Sequence, residues 1–205
     1  MGKGKMLDTN SSVDLDEAYW NERYKTKTTA WDLGQLSPPL KAYIDQLSNK
    51  DLRILIPGCG NSHEAEYLLQ KGFKNITLID IAPELIRELK LKFQSSPNIK
   101  IIAGDFFKHK GEYDLILEQT FFCAINPGLR KNYIEAMLNL LPSGAKIVGV
   151  LFDKEFEHLG PPFGGTAAEY RILFKNDFEL KIFEPCTNSF NKRAGTELFM
   201  VLKKY

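Results

Sequence analysis

The 205-residue chain is short of cysteine and histidine, with Cys59, Cys123 and Cys186 against His63, His109 and His158. The cysteines are odd in number and far apart, so they describe neither a disulfide framework nor the paired spacing of a zinc site. With no His-x-x-x-His pair and no histidine beside a cysteine pair, no metal is expected. An excess of one charge is also missing. Twenty-seven basic residues balance 26 acidic ones for a net charge of +1, which leaves no overall field to draw in nucleic acid or an anionic membrane. The longest apolar runs, such as Ile147 to Phe152, are far too short to span a bilayer, and no charged-then-apolar signal opens the chain. Its first residues begin like a myristoylation site but carry Met6 where Ser or Thr is needed. These absences point to a cytoplasmic protein with a small-molecule partner rather than nucleic acid or membrane, and they leave the oligomeric state open. With 43% hydrophobic residues, one domain over residues 14–205 can bury a sizeable core, behind a polar tail, 1–13, expected to be disordered.

What the chain does have is centred on residues 52–64. The apolar run Leu52 to Ile56 stops at Pro57-Gly58-Cys59-Gly60, and a second run, Ile76 to Ile79, ends on Asp80. An unbroken apolar run, a glycine turn and a helix read as a buried parallel strand leading into a crossover. Gly58 and Gly60 let the backbone bend sharply and a ligand lie against it. Asp80, twenty residues after Gly60, falls where such units place a carboxylate on ribose hydroxyls, so a nucleoside is expected. The bland alternative is a glycine turn closing an ordinary strand–helix unit. A dinucleotide site would need a third glycine at the G-x-G-x-x-G offset, and a P-loop would need Gly-Lys-Ser/Thr; both are missing.

Pro-Gly-Cys-Gly followed by a small residue resembles the first motif of the S-adenosylmethionine-dependent methyltransferases, with Ser62 where that family usually has a third glycine and Glu64 where it often has aspartate. The segment Tyr19-Trp20, Arg23-Tyr24, Thr28 and Trp31-Asp32-Leu33-Gly34 makes the resemblance narrower: it is similar to the N-terminal segment of the thiopurine S-methyltransferase superfamily, which folds over the bound cofactor. A loop tryptophan is otherwise an anchor pinning a segment to its domain; as an aromatic wall, its π face attracts a sulfonium. Glu118-Gln119-Thr120-Phe121-Phe122-Cys123-Ala124-Ile125 resembles the halide and thiol methyltransferase branch, while thiopurine enzymes carry a basic residue at Gln119. Gly160-Pro161-Pro162-Phe163 and Asn188 to Phe199 also match the superfamily.

The resemblance implies S-adenosylmethionine as cofactor, held by Trp20, Tyr24, Trp31, Gly58, Gly60, Asp80, Ile81, Asp105, Phe106 and Glu118. It implies an acceptor pocket of Trp31, Gln119, Phe122 and Phe163, with no certain catalytic residue. The residues by themselves leave alternatives: Asp105 would equally cap the following turn, the two phenylalanines would ordinarily be core, and His158 is a weak base candidate in a solvated loop. Pattern also sets the elements: helices over 14–24, 37–47, 64–71, 83–93, 129–141 and 166–175, strands at 52–56, 76–80, 99–103, 113–118 and 146–152, a loop or lid over 153–165, and an antiparallel pair near 178–184 and 197–203. The expected fold is α/β, a Rossmann-like seven-stranded methyltransferase sheet, mostly parallel with the last strand antiparallel, helices on both faces and an N-terminal helical cap. The expected activity is methyl transfer to a thiol, hydrosulfide or halide, with aromatic thiols as the alternative. Outside that class stand a nicotinamide oxidoreductase, disfavoured by the glycine pattern, and a non-catalytic S-adenosylmethionine-binding protein.

Overall fold

In the computed structural model, which describes residues 14–205, strands β1 (Arg53–Pro57), β2 (Asn75–Asp80), β3 (Ile99–Ala103), β4 (Leu115–Gln119), β5 (Lys146–Phe152), β6 (Phe178–Pro185) and β7 (Glu197–Lys204) form one sheet. The strand order is β3-β2-β1-β4-β5-β7-β6. Strands β1 to β5 are parallel where they pair, and β7 runs antiparallel to both β5 and β6. This is the architecture expected from the sequence; the tail at 1–13 lies outside the described residues.

The central strands are apolar throughout because both faces are covered. Leu55, Ile116 and Ile147 point into one core with helices α5 (Arg130–Leu140) and α6 (Ala167–Phe174). Their neighbours Ile54, Ile56, Leu117 and Val148 point into the other, with α2 (Pro38–Ile44), α3 (His63–Gln70) and α4 (Pro83–Lys92). Side chains alternate faces along a strand, so each strand feeds both cores. Thr166 and Glu169 close a reciprocal capping box on α6, satisfying two otherwise free N–H groups.

Helix α1 (Glu17–Lys25) has no fully buried residue and lies on the second core through half-buried Trp20 and Tyr24. It is capped by Asp16, whose carboxylate accepts the Tyr19 N–H at 2.9 Å, and tied to α4 by the Glu84 N–H on Asn21 Oδ1 at 2.7 Å. Most element boundaries shift from expectation by a residue or more, among them those of α1, which starts at Glu17. Helix α2 stops at Ile44, and residues to Leu47 continue as tight turns. Strand β4 begins at Leu115, because the Asp114 carboxylate is turned to the Arg53 backbone N–H and guanidinium, and it extends one residue further, to Gln119. The 153–165 loop is pinned at its base by a Lys154–Gly165 bridge and by Arg130 donating to the Gly164 carbonyl at 2.7 Å. Among the described residues no helix is long and apolar enough to cross a membrane.

Candidate active site

Strand β1 lies between β2 and β4, and the chain leaves that pair in opposite directions, so a crevice opens at the carboxyl ends of the strands,. A cavity of about 1070 Å3 fills it. The glycine loop forms its floor. Gly58 and Gly60 are left-handed, with φ of +53° and +50°, and Ser62 follows at +56°. A Cβ on Gly58 would collide with the Phe121 ring, whereas one on Gly60 would stand 3.5 Å from the Tyr24 hydroxyl, an ordinary contact. Gly58 is therefore required by both conformation and packing, Gly60 by conformation alone.

Asp80 closes β2. Its Oδ1 accepts the Ala82 N–H at 3.0 Å and its Oδ2 the Gly60 N–H at 3.3 Å. Burial pushes this carboxyl up, against the downward pull of the Ala82, Gly60 and Ile81 N–H groups. Burial, then the charge of Asp80, raises the Cys59 thiol well above its ordinary range, so this cysteine is an inert thiol within the loop. Asp105 reconciles its two expected roles: it caps the Phe107 N–H at 2.9 Å and also lines the cavity beside Ile81 and Phe106.

The segment between α1 and α2 crosses the cavity as a strap. Trp31 stands edge-on to Trp20 at 5.5 Å and to Tyr24 at 5.9 Å, and all three line the cavity. Burial, followed by the Asp80 charge, drives the Tyr24 hydroxyl up, which keeps it neutral. Asp32 fastens the strap to the glycine loop. Its carboxylate takes the Gly34 N–H at 2.8 Å, the Asn61 amide, and His63 Nε2 at 3.0 Å. Burial opposes ionisation of Asp32, but these hydrogen bonds and the His63 field outweigh it and hold its pKa low. From the other side Arg193 donates to the Trp31 carbonyl at 2.7 Å and pairs with Glu197 at 3.3 Å.

The β4 side of the cavity corrects three expectations. Gln119 lines the cavity with both amide atoms buried and unpartnered, but Glu118 does not. It is fully buried on the α5 side of the sheet, bonded to Tyr133 and to the next turn, because neighbouring residues of a strand face opposite ways. Phe122 likewise sits in the core, fully buried against Tyr133, Tyr170 and Phe174, with Arg130 over its ring at 4.8 Å. Its neighbour Phe121 lines the cavity instead, on the same side as Gln119, in a turn where Thr120 takes a left-handed φ of +60°. Phe163 is not part of the wall: its N–H is held by the Cys123 carbonyl at 2.7 Å, and Pro161 and Pro162 line the cavity in its place. His158 is exposed beside Phe156, away from the cavity. The residues missed from sequence are Asp32, Asn61, His63, Phe121 and Arg193. Phe121 carried a signal as one of two phenylalanines after a strand on the ligand-binding edge, while Asp32 and Arg193 lay within stretches that resemble the superfamily and Asn61 and His63 lay in and beside the glycine loop, with no role read for them.

Solved methyltransferases share this architecture. The 1,6-didemethyltoxoflavin-N1-methyltransferase of Burkholderia thailandensis, solved with 1,6-didemethyltoxoflavin and S-adenosylhomocysteine, superposes with a TM-score of 0.75 at 16% identity, over 99% of this chain and 93% of that one. Sheet order, switch-point cavity and glycine loop thus place the chain in the fold class of that methyltransferase. The model of the thiopurine S-methyltransferase (TPMT) family matches residues 15–199, and the chain belongs to that family. It is similar to probable thiol methyltransferase 2 of Arabidopsis thaliana, 28% identical over 190 residues that cover 86% of this chain and 84% of the relative. It is also similar to thiocyanate methyltransferase 1 of Brassica oleracea, 25% identical over 189 residues, 89% and 83% of the two chains.

Proposed function

We propose that the enzyme methylates a small thiol, hydrosulfide or halide. The observation that carries this reading is the composition of the cavity beyond the glycine loop: Phe121, Ile125, Leu129, Pro161 and Pro162 surround it with apolar surface, and Arg193 supplies a guanidinium. Such a chamber strips water from a soft anion, with the Arg193 guanidinium, held by Glu197 and the Trp31 carbonyl, at its edge. The named activities of the thiol and thiocyanate relatives agree with it. A second reading, an aromatic thiol, is favoured by the volume of about 1070 Å3, which exceeds what a nucleoside cofactor and a single ion need.

The residues present fit S-adenosylmethionine: a shelf without side chains at Gly58 and Gly60, a carboxylate at Asp80 beside it, and an unpartnered amide at Gln119. When bound, the cofactor supplies an activated methyl group on a good leaving group. We assign Asp80 to the ribose hydroxyls, with Gly58, Gly60 and Ile81 along the nucleoside. Asp105 and Phe106 would hold the adenine, and Trp20, Tyr24 and Trp31 would wall the sulfonium. On the acceptor side, Gln119, Phe121 and Trp31 align the nucleophile for in-line attack, and the strap excludes water. An acceptor that is already anionic needs no proton removed, so no side chain is assigned as a base. We further read residues 14–205 as one methyltransferase domain working in the cytoplasm, which the three free, buried cysteines support,.

The test is mass-spectrometric detection of S-adenosylhomocysteine after incubation with S-adenosylmethionine and iodide, hydrosulfide, a small aryl thiol or a thiopurine. Product with hydrosulfide, a small thiol or iodide ahead of thiopurine is the expected result. A thiopurine ranked first transfers the assignment to aromatic thiols.

A further inference from the structure

We propose that Glu118 is a positioning residue for methyl transfer: its buried carboxylate holds the turn that presents Gln119 and Phe121 to the acceptor, a role that rests on the functional reading above. The carboxylate belongs to the last buried residue of β4 and folds back beneath the turn that follows. Its Oε1 accepts the Phe121 N–H at 2.7 Å and the Phe122 N–H at 3.0 Å, and its Oε2 accepts the Tyr133 hydroxyl at 2.8 Å. Glu118 is fully buried, and three donors satisfy it where water cannot.

The turn needs this anchor because it is strained. Thr120 has a φ of +60°, a region that a β-branched residue avoids. Its own hydroxyl reaches only the adjacent Gln119 carbonyl, at 2.7 Å, and so does nothing to hold the following backbone. Around this residue Phe121 lies across Gly58 and Phe122 enters the core. Space for the anchor comes from the neighbouring strand: Glu118 pairs with Gly149, where any Cβ would collide with the Glu118 main chain and Cβ. A sequence of unrelated-looking choices, Glu118, Thr120, Phe121 and Gly149, thus serves one backbone reversal at the cavity wall.

The network does not depend on charge. Protonated at Oε2, Glu118 would donate to the Tyr133 oxygen while Oε1 kept both N–H groups, so the turn survives in either state. Glutamine reproduces that pattern, with Oε1 accepting twice and Nε2 donating to Tyr133. Leucine keeps the volume and removes every acceptor.

The experiment compares Glu118→Gln and Glu118→Leu with the wild type. Amide hydrogen exchange at Phe121 and Phe122 reads the anchor without turnover. Exchange should stay slow in Glu118→Gln and accelerate more than about tenfold in Glu118→Leu. On whichever acceptor the wild type uses, Glu118→Leu should raise acceptor KM about tenfold, with S-adenosylmethionine affinity within about threefold by calorimetry, and Glu118→Gln should keep both. Adding Thr120→Gly to Glu118→Leu should recover most of the acceptor KM, since glycine adopts the reversal unaided; it also provides a folded comparison if the single variant does not fold. Unchanged exchange in Glu118→Leu overturns the proposal, as does equal damage in Glu118→Gln or no recovery in the double variant. Absence of wild-type turnover on every acceptor, with exchange behaving as stated, counts against the acceptor assignment and not against the anchor.

Discussion

On the β1-β2-β3 side of the cavity, the wall is largely main chain and strand-end carboxylate: Asp80 closes its strand, and Gly58, Gly60 and Asp105 come from loops that directly follow theirs. On the β4-β5-β7 side, the wall is side chain, delivered by a strap from the N-terminus, a strained turn after β4, a proline loop after β5 and an arginine just before β7. The first side is local and rigid, as binding one invariant cofactor requires. The second is assembled from four distant segments, with the strap tied to the β7 side by Arg193 on the Trp31 carbonyl and to the glycine loop by Asp32 on Asn61 and His63.

The sharpest way to break the division is at its seam, where Phe121 from the second side lies on Gly58 of the first. Gly58→Ala meets a left-handed φ of +53° and the Phe121 ring together, and should cost about 2–4 kcal/mol in denaturant titrations, with cofactor affinity reduced about 100-fold. Adding Phe121→Ala should return the steric part of that loss; a strictly additive double variant would mean that the two halves are not in contact.

Next in size is a pH effect confined to the second side. Burial, offset in part by the Phe122, Tyr133 and Phe121 hydrogen bonds, pushes Glu118 from 4.5 up to about 7. The folded state therefore holds a proton that the unfolded chain has released across this window. This contribution to stability is full below pH 4.5 and is lost as pH rises to about 7. Relative to Glu118→Gln, the wild type should lose about 3 kcal/mol across it, measured by denaturation at each pH. A pH-independent difference between the two proteins would remove this account.

Asp80→Ala tests the first side alone. Loss of a charged acceptor should weaken S-adenosylmethionine by about 2 kcal/mol in calorimetry and leave saturated turnover within about threefold; unaltered affinity would end the ribose assignment. The smallest effects separate wall from support. Trp31→Ala should raise acceptor KM by about 1 kcal/mol equivalent, while Phe163→Ala, outside the cavity, should change it by less than about 0.5 kcal/mol. Equal acceptor kinetics in the two variants would contradict the placement of the wall.

The strands, the crossover helices, the antiparallel β6–β7 pair and the cofactor side of the cavity were legible because each depends on neighbours in the chain. A glycine turn after an apolar run, or a carboxylate closing one, has its position set by the strand it ends. Glu118, Phe122 and Phe163 were misplaced because strand alternation turns Glu118 away from the cavity, packing on Tyr133, Tyr170 and Phe174 holds Phe122 in the core, and the Cys123 carbonyl holds the Phe163 backbone. Thr120 does not advertise a left-handed φ, since threonine rarely adopts one. The partners of Asp32 and Arg193 were not legible either: 29 and 31 residues separate Asp32 from Asn61 and His63, and 162 separate Arg193 from Trp31.

The amino-acid sequence by itself therefore determined the fold, the family resemblance and the shelf for the cofactor, because hydrophobic period, glycine freedom and strand-end acids act over a few residues. Tertiary structure alone decided which aromatic lines the cavity, what holds the turn after β4 and how the strap is fastened. Those outcomes depend on packing between segments that meet only after the sheet has formed, where a few ångströms of backbone direction exchange a core residue for a wall.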